Sequence, residues 1–379
     1  MSRFFFPVMI GVCCAWLALL GWLNRERFLA GVNDFAQLYA GATLLGTPEL
    51  YSPEANKRVH HDAIGVEVVS VYYSRPPFYA LLLKPLAALP YQVAYWIFQS
   101  VSFLALAWFL WAFARDRVEV ALFACLYPPL IIVPLNGQDV GIALALAGAG
   151  YLLVERDKPF AAGLVWSLCA IKPHLFVFLP VVLLIHRKWR ALAGGVTGGA
   201  VLIALCYLAQ GRHWIGQYMN LLRGPEIHPG PDHMPNFQAL RVAIDPRLPE
   251  SWLLPAALIA AVLTVLAIWR TQDWALAFAL SIPASLLVSY HAYIQDTLFL
   301  LLTLALFLRH QATPSMVRFA ALIVTPIPPL LGLAGVPWSA IYPLYLTAWV
   351  AMAACQTISR GDGPVAAMTK HSSQGGSPA

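Results

Sequence analysis

Of the chain's 379 residues, 60% are hydrophobic and only 11% charged, where a soluble domain carries roughly a quarter charged, so a soluble enzyme or binding module is excluded. Lys and Arg outnumber Asp and Glu for a net charge of +6. The basic residues gather at the ends of apolar runs, a pattern that membrane topology explains without nucleic acid or another polyanion as partner. The apolar runs are continuous and show no strand alternation, so the fold class is all-α: a polytopic transmembrane helical bundle of about 10–12 spans.

The first apolar run, 4–23, follows Arg3 and lacks a small-x-small cleavage site. It is also longer than a signal-peptide core and reads as a retained first span. A polar stretch over 24–77 follows, headed by Asn33-Asp34-Phe35. Asp34 admits two readings. It is either a carboxylate at the membrane face that accepts a proton from an attacking hydroxyl, or the N-cap of a helix through Phe35-Ala36-Gln37-Leu38-Tyr39. Arg75, before Pro76-Pro77, suits either a phosphate or an ordinary interfacial anchor. The segment 78–89 is apolar but contains Lys84 and Pro85 and ends at Pro90, which fits an interfacial or partly inserted helix.

Spans at 91–113 and 119–135 lead to Asn136-Gly137-Gln138-Asp139. Its side chains suit sugar hydroxyls or a metal, and equally a plain turn with Asp139 as N-cap of the next span, 139–154. Two short spans, 159–171 and 174–186, meet at Lys172-Pro173-His174. Two potentially cationic donors at such a junction would hold a phosphate, the reading preferred because the loop lies at the motif-rich face; a lysine snorkelling beside a proline kink is the alternative. One kinked helix over 159–186 would reverse every later loop, so two spans are preferred. After the span 190–209, the loop Gly211 to Glu250 is dense in Pro and Gly, is expected to be irregular, and has the length of a lid or binding loop. His228, Asp232 and His233 within it match no standard metal-ligand spacing.

The remaining spans, 252–270, 274–290, 296–308, 316–333 and 338–356, enclose His291-Ala292-Tyr293-Ile294-Gln295-Asp296. His291 and Gln295 share a face if that segment is helical; a wet interfacial belt of Tyr and His is the alternative. Residues 357–379 are rich in Gly, Ser and Pro and read as a disordered cytoplasmic tail, leaving 1–356 as the membrane domain. All six cysteines lie in apolar runs without metal or disulfide spacing, and read as small core residues. No Walker loop, dinucleotide glycine motif or serine-hydrolase elbow is present.

Charges sort by side. Arg115 and Arg117, Arg156 and Lys158, Arg187 to Arg190, Arg270, Arg309 and Arg318 fall on one set of connections, cytoplasmic by the positive-inside rule. Both termini fall on that side. The polar motifs and the long loops 24–77 and 211–250 fall on the other, outer side, so several separate signals converge on one pocket.

A first span, an outer loop with Asn33-Asp34-Phe35 and Tyr39, then Pro76-Pro77-Phe78-Tyr79, Asn136-Gly137-Gln138 and Lys172-Pro173-His174: in this order the motifs resemble glycosyltransferase family 87, relatives of polyprenol-phosphate-mannose-dependent mannosyltransferases. The resemblance covers about residues 1–300. It implies a GT-C fold with amphipathic helices in the first outer loop and an active site at the outer face of the plasma membrane. It implies Asp34 as general base, Lys172 and His174 facing the phosphate of a lipid-linked sugar donor, and Asn136 and Gln138 at the sugar, with an acceptor that is a lipid or glycan. Tyr39 belongs to the same substrate-binding set. Position adds Arg75, Asp139, His291 and Asp296. Such enzymes usually use no metal or other cofactor. The alternative is a transporter or flippase, which would want ionisable residues mid-span and related halves; no repeat is visible.

Overall fold

The computed structural model describes residues 11, 15, 18–66, 68, 72–115, 117–224 and 230–356. Most of the expected first span, the tail 357–379 and His228 lie outside them. The described residues are mostly helical and contain no strand, as the continuous apolar runs require.

Four helices are long and apolar enough to cross a membrane alone: Tyr91–Ala114, Trp189–Gln210, Glu250–Arg270 and Trp338–Cys355. Two bent pairs raise the number to six. Val118–Leu126 and Pro129–Leu135 meet at 58°, and Pro314–Ile323 and Ile327–Leu333 at 42°. Prolines at 128, 129 and 326 stand at these bends, where a missing N–H and ring clash break the helix. Two expected spans are instead shorter apolar helices, Val140–Glu155 and Trp274–Val288, and Pro159–Ile171 and Pro173–Ile185 are short as expected. At 1.5 Å per residue none of these reaches about 30 Å. They stop short because their ends are the polar turns that build the site.

Those turns lie at one end of the bundle. At the opposite end the Tyr151 hydroxyl meets His310 Nε2 at 2.6 Å, and His310 Nδ1 meets Asp273 at 2.8 Å. Lys188 lies over the Trp274 ring, which stacks on Tyr151. Residues 151, 188, 273 and 310 are therefore neighbours, while Asp139, Lys172 and Asp296 meet elsewhere. The chain must run from Lys158 up to Lys172 and back to Lys188. The junction at 172 is thus the tip between two antiparallel short helices, as preferred from sequence. Asp273 shows the electrostatics of this basic end: burial would raise its carboxyl, but the His310 hydrogen bond and charge hold it below its ordinary range.

The helix leading up to that tip packs closely against Trp189–Gln210. A Cβ on Gly163 would strike the Ala191 carbonyl oxygen, and one on Gly194 the Phe160 carbonyl oxygen. Backbone touches backbone where Pro159–Ser167 crosses Trp189–Gln210, the small-residue contact that apolar helices need in place of a hydrophobic drive. Outside, Leu208, Leu254, Leu258 and Val265 remain exposed, the lipid-facing counterpart of that inward packing.

Two expectations are corrected. The 211–250 loop is not irregular: it holds helices Trp214–Arg223 and Phe237–Ile244, because its prolines and glycines concentrate between them. Of the described cysteines, Cys169 and Cys206 are buried but Cys125 and Cys355 are exposed, since an apolar run on a bundle surface faces lipid as readily as core.

Candidate active site: a buried charge network beside a cavity

Asp34 stands at the N-cap position of Phe35–Leu44, yet its side chain makes no capping bond. Asn33 Oδ1 accepts the Phe35 N–H in its place. The Asp34 carboxylate accepts a hydrogen bond from Gln138 Nε2, and its backbone N–H donates to the Asn136 carbonyl at 3.0 Å. The first loop is thereby clamped onto the turn at 136–138. Gly137 makes the clamp possible. Its φ is +61°, and a Cβ there would collide with the Asn33 amide group, so only glycine lets the two turns close.

Asp139 also sits at a helix start without capping it. Its two oxygens accept from Arg75 Nε at 3.0 Å and Nη2 at 3.3 Å, the bidentate fork geometry. Lys172 is not snorkelling: it is 4% exposed, bonds Asp296 Oδ1 at 2.9 Å and lies 3.7 Å from Asp139 Oδ1. Asp296 is itself fixed at the first turn of Ile294–Phe299, where its other oxygen accepts the Tyr293 N–H.

Two buried cations thus face two buried carboxylates. Charges taken out of water this way are tolerated only when paired and hydrogen-bonded. Asp34 is the odd carboxylate. Burial pushes its carboxyl above the ordinary range, while the Gln138 hydrogen bond and the charges of Lys172 and Arg75 work the other way. Its residue surface is nevertheless partly open. A carboxylate short of counter-charge, partly accessible and held by one amide is built to accept a proton.

Beside the network opens a cavity of about 340 Å³ lined by Ser74, Arg75, His174, Tyr218, Ser289, Tyr290 and His291, among others. His174 Nε2 is enclosed and without a hydrogen-bond partner, and its ring lies edge-on to His291 at 6.1 Å. Arg75, His174 and His291 bring cationic or hydrogen-bonding nitrogens to this space, whereas Lys172 is turned to the carboxylates. Among the described residues no three His, Cys, Asp or Glu side chains are grouped as a metal site would require.

Of the ten residues singled out from sequence, Asp34, Arg75, Gln138, Asp139, Lys172 and Asp296 form the network, and His174 and His291 line the cavity with Arg75. Asn136 contributes its carbonyl; its side chain is exposed. Tyr39 stands apart, bonding the Leu89 carbonyl and packing on Phe35 and Tyr91. His291 precedes the short helix rather than sharing a face of it with Gln295. Of the lining side chains, sequence reasoning did not single out Ser74, Tyr218, Ser289 or Tyr290. Tyr218 carried the one usable signal, as a tyrosine on an amphipathic segment inside the long loop.

A sequence model of glycosyltransferase family 87 matches residues 73–290, more than half of the chain. The match contains Arg75, Gln138, Asp139, Lys172 and His174, and starts beyond Asp34. No curated protein and no solved structure matches.

Proposed function

The chain belongs to glycosyltransferase family 87, and from that premise we propose that it transfers a sugar from a polyprenyl-phosphate donor to a lipid or glycan acceptor, with Asp34 as general base. Family and apolar helices together make it a membrane glycosyltransferase; the donor, the base and the side of the membrane are the proposal. The observation that carries it is the joining of Asp34 to Gln138, the neighbour of Asp139, whose partner Arg75 lines a cavity with His174.

In this reading an acceptor hydroxyl attacks the anomeric carbon of mannose or another hexose or pentose. The new C–O bond forms as the bond to the phosphate oxygen breaks, with inversion, and Asp34 takes the hydroxyl proton. The leaving phosphate is a stable anion and needs no protonation; positive groups aimed at its developing charge lower the barrier. Arg75 has that position at the cavity, His174 adds an enclosed, unpartnered ring nitrogen able to donate a hydrogen bond, and Lys172 acts behind them by holding Asp139 and Asp296. The chain's own cations serve the leaving group without a resident metal. The arginine-rich end belongs in the cytoplasm by the positive-inside rule, which puts the site at the outer face of the plasma membrane.

The test is transfer from radiolabelled polyprenyl-phosphate sugars in membranes carrying wild type or Asp34→Asn. Loss of a general base lowers the rate by about 10²- to 10⁴-fold. Normal transfer by the variant would remove Asp34 from the mechanism, and transfer only from nucleotide sugars would remove the lipid donor.

A further inference from the structure

Tyr79 is 5% exposed, and its hydroxyl is enclosed with no hydrogen-bond partner. It lies in the first turn of Pro77–Ala87, four residues after Arg75, within electrostatic reach of both Asp139 and Arg75. An enclosed hydroxyl left idle costs stability that a phenylalanine in the same space would not. Its surroundings suggest what it is for. Asp139 has three donors around it but uses one fully: Arg75 grips it, Lys172 stands at 3.7 Å while bonded to Asp296, and Tyr79 is idle.

Arg75 has two loyalties. It holds Asp139, and it lines the cavity, where its Nη1 reaches the Ser74 hydroxyl at 3.3 Å. An anion entering that cavity meets Nη1 first, and a two-point grip through Nη1 and Nη2 would draw Nη2 away from its 3.3 Å bond to Asp139, since guanidinium bonds carboxylate and phosphate alike. Asp139 deprived of Arg75 would be a buried carboxylate without its main partner, a state that is strongly disfavoured. Lys172 at 3.7 Å and the unpartnered Tyr79 hydroxyl, within electrostatic reach, are the donors available to replace it.

We propose that Tyr79 is a positioning residue that takes over Asp139 when a phosphate draws Arg75 into the cavity. Anion binding is then coupled to formation of a Tyr79–Asp139 hydrogen bond, with Lys172 closing from its present distance. This exchange rests on the reading that the donor is a lipid phosphate bound beside Arg75. It makes Tyr79 idle in the empty site and bonded in the filled one.

The experiment uses the full chain in detergent with farnesyl phosphate as probe, comparing wild type and Tyr79→Phe. The variant is expected to keep or raise the melting temperature of the unliganded protein. It should bind the probe about tenfold more weakly, a difference of about 1.4 kcal/mol, and raise KM for the lipid donor with kcat unchanged. A merely structural tyrosine would lower the unliganded melting temperature and leave probe affinity intact. Equal affinity in both proteins, with wild type binding well, overturns the exchange alone. Failure of wild type to bind the probe, with Arg75→Gln no different, overturns the phosphate reading and the exchange with it.

Discussion

Replacing Gly137 with alanine tests how the first loop and the 136–138 turn are held together. A non-glycine residue at φ +61° carries about 1–2 kcal/mol of backbone strain. The new methyl would also displace Asn33, whose Nδ2 donates to the Tyr95 hydroxyl at 3.3 Å and to the Leu135 carbonyl at 3.2 Å. Losing those two bonds adds about 1 kcal/mol each, so about 3–4 kcal/mol of stability is at stake. Asp34 follows Asn33 directly and would move with it. Displacement of a reacting group by about 1 Å can cost about 100-fold in rate. Thermal melting in detergent reads the first effect, and sugar transfer per folded enzyme the second. Asn33→Ala removes the side-chain clash, so adding Gly137→Ala to it should cost only the backbone strain and the 3.0 Å approach to the Phe35 backbone nitrogen. A Gly137→Ala protein with wild-type melting and transfer would refute the clamp.

Lys172→Met leaves Asp296 and part of Asp139 without a counter-charge, and should destabilise by about 3–5 kcal/mol, measured as a fall in melting temperature; an unchanged value would mean the buried ion pairs are not formed. Asp34 must be ionised to accept a proton, and its carboxyl is raised by burial, so the acid limb of the kcat–pH profile should lie above the ordinary carboxylate range. Gln138 donates to the charged form. Gln138→Leu should therefore shift that limb further upward, with activity recovering at higher pH; a downward shift would contradict the assignment. The sign for stability is the reverse of the usual carboxylate case. A raised folded pKa means that the folded state holds its proton longer, so stability falls as pH rises from the unfolded value through the folded one.

Composition and charge placement determined much of this protein by themselves. Sixty per cent hydrophobic residues in continuous runs leave only helices able to satisfy their backbone in lipid. The clustering of Arg and Lys on alternate connections foretold which turns share an end, and the meeting of Tyr151, Lys188, Asp273 and His310 agrees. The polar turns were also legible, because charge is so scarce in this chain that each cluster stands out. Their pairing was not. Asp34 with Gln138, Arg75 with Asp139 and Lys172 with Asp296 are separated by 104, 64 and 124 residues, and no local rule relates them. Local chemistry offered helix caps for Asp34 and Asp139 as equal alternatives, and a snorkelling lysine at 172 as the alternative to a phosphate-binding one. Tertiary structure decided against all three, since burying a charge forces it to take the strongest partner that packing brings within reach. The same packing left the Tyr79 hydroxyl idle, a fact that no reading of Pro76-Pro77-Phe78-Tyr79 could contain.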